Sequence, residues 1–194
     1  MHQELAALHA ADRGDHAVPR MAGTPEYAAM RQRDADRRAR AAAILRDDPP
    51  SDPIDWYHAA WLFNHGDTPE DAESAHRLAA RAVDGGYRPA RWLSAAAYDR
   101  WCMYSGKPQR FGTQIVPDGR GYRVWDTDPM VTDAERATYD VPSLAEQRRR
   151  AAEEAVSSPQ PPMELAPQWL KEALERWARA TDAEPGAAAD GGGM

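Results

Sequence analysis

Apolar positions along this chain recur at helical spacing, and the segments that carry the repeat are parted by proline, glycine and aspartate. Ile54, Tyr57, His58, Trp61, Leu62 and His65 fall at i, i+3, i+4, i+7, i+8 and i+11, which places aromatics and two histidines on one helical face. Ala72, Ala75, His76, Ala79, Ala82 and Val83 form a narrower stripe of small residues that stops at Gly85-Gly86. Pro89 then opens a third helix with Ala90, Leu93, Ala97 and Tyr104 on one face. Two helices meeting through alanine, a tight glycine turn and a third helix resemble the helical hairpins of Sel1-like and tetratricopeptide repeats, over about one and a half units.

The flanks follow the same logic. A short helix is expected from Gln3 to about Asp12, and a longer one from Thr24-Pro25-Glu26 to about Arg46. Its arginine- and aspartate-rich middle, Arg31 to Arg40, reads as a solvated face. Two extended runs, Phe111 to Val116 and Tyr122 to Trp125, flank Pro117-Asp118-Gly119-Arg120-Gly121 and predict a β-hairpin over about 111–126. Ser143-Leu144-Ala145-Glu146 starts a helix to about Val156, on which Arg148-Arg149-Arg150 faces Glu153 and Glu154. Ala166, Trp169, Leu170, Ala173, Leu174 and Trp177 give a strongly amphipathic helix near the C-terminus. The expected organisation is a helical domain over 1–156, a linker over 157–162, the amphipathic helix over 163–181 and a disordered tail over 182–194. The fold class is mainly α.

Composition narrows the partners. A chain of 194 residues suits one core with appendages, and with two phenylalanines that core must rest on alanine packing, seven tryptophans and seven tyrosines. A net charge of −7 argues against binding nucleic acid or an anionic membrane surface. The single cysteine, Cys102, excludes an internal disulfide and reads as a buried, inert thiol. No basic leader and no spanning apolar run is present, so a cytoplasmic location is expected.

Candidate chemistry lies on the third helix and just beyond it. Arg100 falls on or beside the inward face, where a guanidinium needs a carboxylate, several carbonyls or an anionic ligand. Asp99, Arg100, Gln109, Thr113 and Gln114 are the candidate ligand-binding residues, with His58 and His65 as candidate general acid or base if the hairpin folds back toward them. Those two histidines are too far apart along a helix to chelate one ion, since seven residues span about 10 Å. His9, Asp12 and His16 would share a face only if the first helix ran through Gly14, so no metal and no cofactor is expected.

The segments Ala97-Tyr98-Asp99-Arg100 and Gly106 to Gln114 resemble a bacterial domain-of-unknown-function family that carries D-R, a short gap and G-x-P-Q-x-Y-G-T-Q. Ala59-Ala60-Trp61-Leu62 with His65-Gly66-Asp67 is similar to that family's A-A-W-L-x-x-x-H-x-D segment, and Asp12-Arg13 to its N-terminal D-x-x-x-R region. The resemblance covers roughly residues 5 to 150, with Phe111 where the family has tyrosine, and it implies no particular reaction. Two functions are expected to compete. One is a polar pocket for a small, anionic ligand, bound or transformed. The other is a non-catalytic helical module whose partner is another protein, or a second copy joined through the C-terminal helix.

Overall fold

In a computed structural model of the chain, residues 1–182 are described, and short polar side chains open most of the helices. Thr24 Oγ1 takes the Tyr27 amide at 3.2 Å and Asp52 Oδ1 that of Ile54 at 3.2 Å, ahead of α2 (Pro25–Asp47) and α3 (Pro53–Asn64), each with proline in its first turn. Thr68 does the same for α4 (Pro69–Asp84), while α5 (Ala90–Tyr104) follows Pro89 without a side-chain cap. The carboxylate of Asp71 accepts from the Asp67 amide at 3.3 Å, one residue before Thr68.

The first helix, α1 (Gln3–His16), runs a full turn past the expected end. Gly14 does not break it, and His9, Asp12 and His16 therefore lie on one surface. The middle of α2 is also not simply solvated. Asp34 and Arg37 are buried, because they fill the gap between Met30 and Ala41 on the inward stripe.

Alanine makes the central contact as the pattern predicts. Ala72, Ala75, Ala79 and Ala82 are all buried along α4, which packs against α3 on one side and α5 on the other. Ala60, Ala79 and Leu93 meet where the three helices converge, and Leu5, Ala41, Ile44, Ala59 and Leu62 tie α1 and α2 to α3.

The hairpin is shorter than expected. Antiparallel β1 (Ile115–Pro117) and β2 (Tyr122–Val124) pair Ile115 with Val124 and Pro117 with Tyr122, and Asp118 Oδ1 accepts the Arg120 and Gly121 amides in the turn. A short α6 (Asp133–Thr138) and α7 (Leu144–Ser157) follow. The segment expected as a linker lies along the hairpin turn, where Tyr122 Oη donates to the Pro159 carbonyl and Gln160 Nε2 to that of Gly121.

The amphipathic stripe of α8 (Gln168–Asp182) is covered within the chain. Leu170 and Ala173 are buried against Met103, Val116 and Trp125, and Trp177 Nε1 bonds Asp126. The expected disordered tail lies outside the described residues except for Asp182, which ends α8. No helix among the described residues is long and apolar enough to cross a membrane.

Candidate functional site

Two polar constructions reach the end of α3, one through Arg100 on the Asn64 carbonyl and one through Asp12 on His65. The first is built on the break after α5. Asp99 is fully buried, and its carboxylate accepts from the amides of Arg110, Phe111 and Thr113 at 2.8, 2.9 and 2.9 Å and from Thr113 Oγ1 at 2.8 Å. Burial raises its pKa above the usual carboxylate range, and the four donors work against that rise. The curled loop needs Gly112 at φ 85°, a left-handed conformation that a side chain would strain.

Gln109 is fully buried as well. Its Nε2 donates to the carbonyls of Gln114 and Trp125 at 3.1 and 3.0 Å, and its Oε1 accepts the Gln114 amide at 2.8 Å. These bonds correct two expectations. Asp99 and Gln109 hold the loop to the helix and to the hairpin, and neither lines the cleft beside them, with both carboxylate oxygens of Asp99 and both amide hydrogens of Gln109 used inside the protein.

Arg100, Thr113 and Gln114 do come together. They line a cleft of about 650 Å³ with Asn64, Trp92 and Tyr122, closed on the far side by Arg150, Glu153 and Glu154 of α7. Gln114 is partly committed, since its Nε2 donates to the Ala96 carbonyl and to Thr113 Oγ1, both at 3.0 Å. Arg100 is less so. Its Nη1 donates to the Asn64 carbonyl at 2.8 Å, its Nε is buried with no hydrogen-bond partner, and it forms no ion pair among the described residues. The structural ion pair that would have explained this arginine is thus missing.

The second construction lies between α1, α2 and α3. His9 stacks on His58 with ring centroids 4.7 Å apart, and His16 stacks on His65 at 3.7 Å. Asp12, 1% exposed, sits at the centre: its Oδ2 is 2.9 Å from His65 Nδ1, while its Oδ1 has no hydrogen-bond partner. Asp34 lies 3.2 Å from His16 Nε2 and takes Arg31 at 2.7 Å and Arg37 at 2.5 Å. Burial, with His65 close by, lowers the pKa of His16, and burial beside His58 lowers that of His9 to about 4. His58 is lowered by burial too, so these three rings are neutral at pH 7.

His58 and His65, the candidate acid–base groups, do not line the cleft; Asn64 does, one residue before His65. Neither histidine bonds Gln109, Thr113 or Gln114. The residues that sequence reasoning passed over are Asp34, Arg31 and Arg37. Their signal was available in the spacing Met30, Asp34, Arg37, Ala41 and Ile44, which keeps one face of α2. Compared with known protein families, with curated proteins and with solved structures, the chain shows no match.

Proposed function

We propose that the protein binds a small anionic ligand in the cleft between the end of α5 and α7, with Arg100 as its anchor. The observation that supports this reading is the buried Nε of Arg100, which has no hydrogen-bond partner, in a guanidinium that forms no ion pair among the described residues although Glu153 and Glu154 stand across the cleft. Leaving such a group unpaired costs several kcal/mol, and a carboxylate or phosphate would use the planar fork that arginine presents. Thr113 and Gln114 supply polar contacts next to it, and Trp92 supplies a flat apolar wall. On this reading the ligand is held by Arg100, and the candidate bases His58 and His65 stand outside the cleft.

Thermal unfolding in phosphate, acetate and succinate tests it, with wild type and Arg100→Gln compared and helicity followed by circular dichroism. At about a hundred times Kd a ligand adds about 2.7 kcal/mol to stability. The expected result is a melting temperature raised by at least one of these anions in wild type and unmoved in the folded variant. An equal rise in Arg100→Gln, or no rise with any of them, would sink the reading. The rival reading as an interaction module draws on the Sel1-like alanine spacing and on the stripe of α8, and of these the stripe packs against Met103, Val116 and Trp125.

A further inference from the structure

We propose that Asp12, His16 and His65 form a site for one divalent transition-metal ion, with two imidazole nitrogens and a carboxylate oxygen as its protein ligands. One candidate ligand atom from each of the three lies within 4.8 Å of the other two. Around a single zinc ion, with bonds of about 2.0–2.2 Å, tetrahedral ligand atoms stand about 3.3 Å apart. The observed separations straddle that spacing, at 2.9 Å from Asp12 Oδ2 to His65 Nδ1 and 3.9 Å from Asp12 Oδ1 to His16 Nε2.

A second observation points to a ligand independently. Asp12 is 1% exposed and its Oδ1 has no hydrogen-bond partner. Burying a carboxylate oxygen without a donor is costly, so native proteins rarely leave one. Arg37 does not fill the role: its Nε is 3.7 Å from Oδ1, and its two terminal nitrogens are given to Asp15 at 2.8 Å and Asp34 at 2.5 Å. A cation between Asp12 and the two imidazoles would satisfy the oxygen.

The donor set also selects among metals. Imidazole nitrogen suits zinc, iron, nickel and copper far better than magnesium or calcium, and two histidines with one carboxylate leave a coordination position open for water. Asp34, held by Arg31 and Arg37, lies 3.2 Å from His16 Nε2, so the His16 ring must turn off that carboxylate to offer the atom to a metal. The stacked pair His16 and His65, with planes 21° apart, must tilt for both lone pairs to converge. His16 can do this, since it lies on the last turn of α1 and its side chain is 27% exposed.

Chelator-treated full-length protein titrated with Co(II), followed by visible absorption, and then with Zn(II) in competition, tests the site. One equivalent is expected to bind and Zn(II) to displace it, with affinity falling at least tenfold in Asp12→Asn and in His16→Gln and unchanged in His76→Gln. Because His16 is partly exposed, His16→Gln is expected to keep the helical circular dichroism of wild type, which separates lost ligation from lost folding. No binding of either ion by wild type overturns the proposal. Binding undiminished in both Asp12→Asn and His16→Gln overturns it equally, since the ion would then sit elsewhere. The anion cleft is untouched by either result, because Arg100 is not among these ligands.

Discussion

Asp99 and Asp12 are both buried carboxylates on helices, and they are used in opposite ways. Asp99 receives four hydrogen bonds from a loop 11 to 14 residues further along the chain and has nothing left to offer. Asp12 has one hydrogen-bond partner, His65, and its other oxygen has none, with Arg37 Nε at 3.7 Å and His16 Nε2 at 3.9 Å beyond bonding reach. The first is what a carboxylate looks like when it holds a fold together. The second is what one looks like when the protein alone does not complete it. Burial alone therefore does not mark a site; incomplete pairing under burial does.

The sharpest way to break this comparison is to remove each charge in metal-free protein and measure urea unfolding. Asp99→Ala strands three amides and a hydroxyl in a dry place, and should cost at least about 3 kcal/mol. Asp12→Asn keeps the shape and loses one charge-assisted bond, so about 1.5 kcal/mol or less is expected. Equal losses would mean that Asp12 is as structural as Asp99, and the contrast would fail.

Acid should act on the same region with a smaller effect. His9 has its folded pKa lowered to about 4, against an ordinary value near 6.5, so between those pH values the unfolded chain takes up a proton that the folded chain refuses. Stability is thus whole above about pH 6.5 and falls as pH drops toward 4. His16 and His58 shift in the same direction and add to the loss. His9 accounts for at most about 3.4 kcal/mol of it, at 1.36 kcal/mol per pKa unit. Urea midpoints at pH 7 and pH 5 would show the fall in wild type and a shallower fall in His9→Gln. A flat profile would mean that the histidines are solvated and the cluster is not dry.

How much of this was written in the sequence depends on the distance between cause and effect. The cap at Thr24, the alanine stripe of α4 and the turn at Asp118 depend on neighbours within a few residues, and all were legible. The hairpin was overextended, because residues 111–114 look like strand but are curled onto Asp99 and Gln109 by bonds that no local pattern reveals. Asp12 and His65 are separated by 53 positions, and only the packing of α1 on α3 brings them together. Arg31 and Arg37 looked like surface charge because a count of charges along a helix ignores which face carries them. The helix continuing through Gly14 was a local misreading; the cost of one glycine, about 1 kcal/mol, is within what tertiary contacts overcome.

The smallest expected effect tests the rigid half of the contrast. Cys102 lies on α5 three residues after Asp99, and burial, with the Asp99 charge next in weight, pushes its thiol up to about 11. A thiol attacks as its thiolate, so native protein at pH 8 should resist iodoacetamide, while urea-unfolded protein should be alkylated quickly. Mass spectrometry over time reads both. Rapid labelling of the native chain would show that α5 opens locally, and the four bonds to Asp99 would then be a transient clasp. Slow labelling that stays slow in Asp12→Asn and quickens in Asp99→Ala would place the rigidity in the completed carboxylate, as the pairing argument requires.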